Sequence, residues 1–500
     1  MEITRRRFLE AVGAGVTWIT LSSTLGCEPE QRLRAVASTT RRGQTWAFRS
    51  RPELRPPVID VTNVTTQARG TAPGYICIAP KNGPEEEGPG QDGAMILDDS
   101  GQLAWFHPLF REDKDVMDFK VQSYRGEPVL TWWEGVHGGY GQGGYVILDG
   151  SYREIARVRA GNDYRGDHHE FLISPRDTAL FTVYKQTPGD LSSVGGPADG
   201  TVLDGIVQEV DIETGEVLFE WHSLDHVGLD ESSAGAPENP AFAFDYFHIN
   251  SIDVDHDDNL LVSSRMTSAV YKINYQTGEV MWRLGGEKSD FEMGPGTRTR
   301  FQHDARRQPD GTITIFDNGA LKTDKLSRGI VLRLDEDAMT ATLVKEYPNP
   351  DKKLSGTQGN VQVLPDGNVF VGWGSAPSFS EFSKEGELLF DANFPPEAES
   401  YRAFRFEWIG RPSNGLAMKV ERESEDELTV YVSWNGATEV AEWQVLAGPN
   451  SEQLDPLGAI PRKGFETVIT VPTTEPCVGV QARDSAGRAL GTVKAVKVEN

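Results

Sequence analysis

From Gly74 onward, short apolar runs alternate with turn-forming Gly, Asp, Asn and Pro, and no long helical periodicity interrupts them. One hairpin recurs. It is an apolar strand, a turn centred on Asp, Asn or Ser with Gly, then a strand carrying an aromatic residue. Its six copies fall at 95–105, 145–150, 207–221, 270–282, 330–343 and 379–390, spaced by roughly 50–60 residues. Further strands alternate with them at 129–133, 180–184, 260–264, 312–316 and 369–373. Several strands per copy at a fixed period predict a β-propeller of six blades. A stack of sandwiches would not give a regular period. Closing a ring also removes the sheet edges that a single blade leaves bare.

After Arg411-Pro412 the pattern changes. Closely spaced strands at 428–434, 465–471, 477–482 and 493–498 predict a small immunoglobulin- or fibronectin-like β-sandwich. The expected fold class is all-β: a six-bladed β-propeller followed by that C-terminal sandwich. The expected divisions are 1–27, an export signal; 28–70, a linker leading into the propeller; 71–412, the propeller; and 413–500, an accessory sandwich. A net charge of −26 argues against nucleic acid as a partner and makes any anionic substrate depend on local cations. Thr4-Arg5-Arg6-Arg7-Phe8-Leu9 resembles a bacterial twin-arginine export signal. The apolar run after it, 11–25, is too short and interrupted to be a good membrane span. The expected location is periplasmic, extracellular or lipid-anchored at the cell surface. Cys27, after Thr24-Leu25-Gly26, is the candidate for lipid attachment, with plain cleavage as the alternative. Cys77 and Cys477 lie far apart along the chain and read as buried free thiols.

Candidate chemistry concentrates in 245–318, where His248, Arg265 and His303 each sit at the edge of an apolar run that reads as a strand. Imidazole serves as nucleophile or acid/base near neutral pH, and guanidinium grips oxyanions in a fork. His168 and His169 fall at a comparable place in an earlier repeat, and His137 sits in a glycine loop, 135–144. The innermost strands of a propeller line one channel, so histidines from distant repeats converge there. A lone strand-edge histidine is more often structural; three of them with Arg265 favour the transfer of an anionic group. His107, His222, His226 and His256 lie beside hairpins or turns and read as structural or exposed. Asp253, Asp255 and Asp257 mimic the start of an EF-hand loop, but Asp258 replaces its glycine and Ser264 its closing glutamate. Gly139-x-Gly141-x-x-Gly144 leads into a strand rather than a helix, which argues against a dinucleotide site. Zinc on His168, His169 and Glu170 is disfavoured because neighbours on a strand point to opposite faces. No metal and no cofactor is expected. Trp132, Trp133, Tyr184 and Trp373 either stack on an aryl ring or fill blade cores.

Residues 74–412 resemble the bacterial and fungal arylsulfotransferases. The matching strings are Asp167-His168-His169-Glu170-Phe171, Phe247-His248-Ile249-Asn250-Ser251-Ile252-Asp253 and Ser263-Ser264-Arg265. Gln302-His303-Asp304-Ala305, Phe316-Asp317-Asn318-Gly319 and Val371-Gly372-Trp373-Gly374 extend the match. The resemblance implies a six-bladed propeller that needs no nucleotide sulfate donor. In it a histidine takes the sulfuryl group from an aryl sulfate and passes it, as a sulfohistidine, to a phenol. On that resemblance His303 is the nucleophile, and His248 and Arg265 hold the sulfuryl oxygens. His169 acts on the phenol, with His168 as its alternative. Asn250, His168, Asn318 and Trp373 are the implied substrate contacts. The well-known bacterial members lack the C-terminal sandwich. Two other readings of the chain are a non-catalytic secreted propeller that binds a carbohydrate, peptide or protein, and a propeller dehydrogenase with a quinone.

Overall fold

Six blades of mainly antiparallel strands, the second and third joined where Gly143 pairs with Gly166, stand around one axis in a computed structural model, which describes residues 33–64, 70–82, 89–110, 114–320, 326–491 and 493–498. The expected export signal and Cys27 lie outside the described residues. Among the described residues no helix is long and apolar enough to cross a membrane.

Each blade starts at the axis with its innermost strand. In blades 2 to 6 these strands are Asp115–Tyr124, Gly166–Ile173, Ile249–Val254, His303–Arg307 and Asn360–Val363. Blade 1 closes the ring with both ends of the propeller chain. Its inner strand Ala403–Phe406 comes last in sequence and pairs with Tyr75–Ile78, Ala403 opposite Ile78. Each inner strand touches the next around the ring. Asp60–Val64 adds a fifth strand outside Leu388–Asn393 in blade 6, so the propeller begins before residue 71.

The strands are buried on both faces because each blade packs on two neighbours. Among the described residues the buried apolar side chains form seven clusters, one for each blade-to-blade seam and one for the sandwich. Period-2 alternation sorts them. Val270 packs with Ile313 and Ile330 toward blade 5, while the next residue, Tyr271, packs with Val207 and Trp221 toward blade 3. Cys77 and Cys477 are buried free thiols.

A charge-balanced network fills the axis. Arg402 Nη1 lies 2.8 Å from Asp118 Oδ1 and 3.2 Å from Glu170 Oε2, and its Nη2 donates to the Asn250 carbonyl at 2.9 Å. Lys120 Nζ donates to Asp118 at 2.8 Å and Glu170 at 2.7 Å, and Arg306 pairs with Glu170 and Asp304. Asp304 Oδ2 also accepts the Val361 N–H at 3.1 Å. Groups from all six blades therefore meet in one set of hydrogen bonds. Burial pushes the Glu170 carboxyl up, but Arg306, Arg402 and Lys120 outweigh it and hold the group ionised, well below the usual range.

The C-terminal residues form two four-stranded sheets over a common core of Val430, Val432, Trp443, Val445, Ile469, Val478 and Val480. Arg34–Ala37, which the sequence pattern left in a linker, is the outer strand of one of these sheets, with Arg34 opposite Thr470. It has four residues and its partner lies near the other end of the chain, so no local pattern marks it. The sandwich docks on the outer strand of blade 1, Leu103–Pro108. Asn435 Nδ2 donates to the Phe106 carbonyl and its Oδ1 accepts the Phe106 N–H, both at 2.9 Å. That pairing covers a sheet edge otherwise left bare.

Candidate active site

Four inner strands carry a register irregularity near the same level. Pairing slips between Thr131 and Trp133 opposite the inner strand of blade 2, and between Gly166 and Phe171 in blade 3. It slips again between Ile249 and Ser251 in blade 4, and between His303 and Arg306 in blade 5. A bulge re-aims side chains that a regular strand would alternate. At that level lie His168, His169, His248 and His303. His248 (φ 54°), Phe301 (φ 53°) and Gln358 (φ 66°) hold left-handed backbone there, a conformation costing about 1–3 kcal/mol each outside glycine.

His169 and His248 face each other edge to face with ring centres 4.8 Å apart. Each is held through Nδ1 by a carboxylate. His169 Nδ1 is 2.6 Å from Asp167 Oδ2, and His248 Nδ1 bonds Asp245 Oδ2. Both carboxylates accept, so each Nδ1 carries a proton and each Nε2 is left free of that bond. Burial pulls the His248 imidazole below its ordinary value, against the pull of Asp245. Burial pushes the Asp167 carboxyl up, but His169 and His168 outweigh it and hold the group well below the usual range.

His303 is held differently. Its Nδ1 lies 2.7 Å from Asn318 Oδ1 and 3.1 Å from the Phe301 carbonyl. Asn318 Nδ2 donates to the carbonyls of Ser355 and Gln358, both at 2.9 Å, which fixes the amide with its oxygen toward His303. The proton therefore sits on Nδ1 and the lone pair on Nε2, which accepts the Gln358 N–H at 3.2 Å. Burial pushes the imidazole well below its ordinary value, and the Arg265 charge pushes the same way, with His248 and His169 adding to it. At neutral pH His303 is a free base.

Arg265 leans on the Phe301 ring at 4.9 Å and donates Nη2 to the Gly356 carbonyl at 3.1 Å. Among the described residues it has no carboxylate partner, and its Nε is buried without an acceptor. Asn250 Oδ1, Asp245 Oδ1 and Gln358 Oε1 are likewise buried and without a hydrogen-bond partner, and His168 Nδ1 lies 3.4 Å from Asp167 Oδ1. Four orphaned polar atoms on residues beside these imidazoles mark a place for a ligand with its own donors and acceptors. Tyr184, with Tyr140 stacked on it at 5.6 Å, stands 5.8 Å from the His169 ring and 6.2 Å from the His248 ring. It supplies an aromatic wall.

The structure thus brings His169, His248, Arg265, His303 and Asn250 to one end of the channel. Three sequence expectations change. Trp373 is buried in the seam of blades 5 and 6, its Nε1 bonded to Ser380 Oγ at 2.8 Å, so it is core and meets no substrate. Asn318 has its polar atoms committed to protein and stands behind His303. His168 and His169 do not point to opposite faces: the bulge stacks their rings 4.0 Å apart. With Asp167 they could present three metal-ligand atoms within 4.8 Å. Asp167 already accepts from Gly141 N, His169 N, His169 Nδ1 and Thr182 Oγ1, an arrangement that anchors His169. Asp245 and Gln358 carry no motif that marks them; three-residue spacing ahead of His248 is the one available signal for Asp245, while Tyr184 is among the aromatics the sequence offers for stacking or core.

A cavity of about 660 Å³ opens at the other end of the axis, past the ionic network, lined by residues such as Ser174, Asp253, Gln308 and Phe406. It shares no residue with the imidazole group.

The Arylsulfotransferase (ASST) family pattern matches residues 120–395, more than half of the chain. Comparison with curated proteins gives no match. Among solved structures, a protein of unknown function from Bacteroides caccae is 13% identical with a TM-score of 0.41, covering 67% of this chain and 100% of that one. Virginiamycin B lyase from Staphylococcus aureus, in selenomethionine form, is 9% identical with a TM-score of 0.33, covering 83% and 98%. At those scores neither bears on fold or activity; the blade count rests on strand pairing.

Proposed function

Because the chain belongs to the arylsulfotransferase family and is a sulfotransferase of that general kind, we propose that it moves a sulfuryl group from an aryl sulfate to a phenol through a sulfohistidine on His303. The observation that carries this reading is the tautomer of His303: Nδ1 protonated against Asn318, Nε2 bearing the lone pair, the ring neutral. The Nε2 lone pair forms an N–S bond as the S–O bond to the aryl group breaks. The phenolate leaves with that electron pair and takes the Nε2 proton of a doubly protonated His169, whose Nδ1–H stays on Asp167. In the second half the acceptor phenol gives its proton to His169 and its oxygen attacks sulfur. The N–S electrons return to Nε2.

Arg265, His248 and Asn250 surround the sulfuryl oxygens. Arg265 brings a charge that forms no salt bridge among the described residues, although the Asp245 carboxylate lies near enough to favour it. An arriving sulfate adds negative charge beside His248 and favours its protonated, donating form, which burial disfavours in the empty site. Tyr184 and Tyr140 offer flat faces to an aryl ring. The resemblance of residues 4–9 to a twin-arginine export signal supports an activity outside the cytoplasm.

Incubation with a chromogenic aryl sulfate and a phenol tests the proposal. Wild type should release the donor phenol and form the acceptor's sulfate; His303→Ala should do neither. Release that survives His303→Ala would defeat it.

A further inference from the structure

The segment between blades 5 and 6 bonds to every part of the nucleophilic side of the site. Gly356 O accepts from Arg265, Ser355 O and Gln358 O accept from Asn318, and Gln358 N–H donates to His303 Nε2. Gln358 reaches this position in left-handed backbone (φ 66°). Its side chain is tied down from the far side. Gln358 Nε2 donates to Glu399 Oε1 at 2.9 Å, and the same oxygen pairs with Lys81 Nζ at 2.6 Å. Lys81 is buried, and Lys81 and Glu399 come from neighbouring short strands, Lys81–Asn82 and Ala398–Glu399. The other side-chain atom, Gln358 Oε1, is buried and has no partner.

This arrangement poses a chemical question. The lone pair that must attack sulfur is the one now accepting the Gln358 N–H. Once Nε2 is bonded to sulfur it accepts nothing, and a buried peptide N–H left without an acceptor costs about 1–3 kcal/mol. The acceptors that arrive with the new bond are the sulfuryl oxygens on the same nitrogen. Resting on the assignment of His303 as nucleophile, we propose that the Gln358 peptide N–H is a catalytic donor. It caps Nε2 in the resting enzyme and turns to a sulfuryl oxygen as the N–S bond forms, held in place by the Glu399–Lys81 pair. The step itself is unchanged: N–S forms, S–O breaks, and the phenolate carries off the electron pair. Only the acceptor of one hydrogen bond is exchanged. A donor that meets the group in the transition state, and not in the bound aryl sulfate, raises kcat without lowering KM. Glu399 and Lys81 touch no reacting atom and are positioning residues.

The test is rapid-quench measurement of sulfuryl-enzyme formation from 4-nitrophenyl sulfate without acceptor, in Glu399→Ala and in Gln358→Gly. Gln358→Gly keeps the N–H and tolerates the positive φ but loses the anchor. Both variants are compared at equal folded fraction by circular dichroism. The single-turnover rate should fall about tenfold or more in each while the donor KM shifts less than about twofold, and Glu399→Gln should recover most of the rate lost in Glu399→Ala, since it keeps an oxygen for Gln358. Unchanged rates in both, or a change confined to KM, would overturn the proposal while loss of all sulfuryl-enzyme in His303→Ala leaves the function standing. Sulfuryl-enzyme formed normally in His303→Ala would overturn both.

Discussion

Imidazoles gathered at one end of the channel are set apart by what holds their Nδ1 atoms. Carboxylates hold His169 and His248; the Asn318 amide holds His303 and adds no charge. Asn318→Asp should therefore turn the nucleophile into a third acid/base group. In wild type, burial and Arg265 keep the His303 pKa below 6.5, so the rate of sulfuryl-enzyme formation should stay level as pH falls through 6.5 and drop only below it. A carboxylate at 318 raises that pKa, and the acid limb should move to higher pH. Single-turnover rates across pH 5–8 check the sign, and a limb that stays put would contradict the assignment. His303, His248 and Arg265 were legible in the sequence because their strings are distinctive. What holds them was not. Asn318 was read as a substrate contact because adjacency to the site does not say which way its amide faces.

The register slips of four inner strands explain much of what sequence periodicity missed. Alternation would have sent His168 and His169 to opposite faces, and nothing local marks a bulge. The same bulge carries Glu170, read from sequence beside His169, into the axial ion network instead. That network predicts a large stability effect. Arg402 is fully buried between Asp118, Glu170 and Asp304, so Arg402→Met strands buried charge and should cost about 3–5 kcal/mol. A loss of less than about 1 kcal/mol in urea unfolding would show the network to be dispensable. The six-blade period itself was readable, because each seam needs apolar residues on both faces of every blade and so writes them into each repeat.

The whole molecule is organised around closure. The propeller ring is sealed by Ala403–Phe406 against Tyr75–Ile78 and braced by Asp60–Val64, and the sandwich covers the bare edge of blade 1 through Asn435. The N-terminal described segment supplies strands to both units, Arg34–Ala37 to the sandwich and Asp60–Val64 to blade 6, which local pattern could not reveal. A chain truncated before 413 should keep sulfuryl transfer per folded molecule but expose the edge of Leu103–Pro108. Size-exclusion chromatography should find it aggregating where the full chain does not. The central claim, that this ring gathers a free-base imidazole and a lone guanidinium to carry a sulfuryl group, meets its most direct test in peptide mass spectrometry. Enzyme treated with an aryl sulfate and no acceptor should carry one acid-labile sulfuryl group, on the peptide containing His303, and lose it on addition of phenol. Phenol released with no such adduct, or an adduct on another residue, would contradict the account.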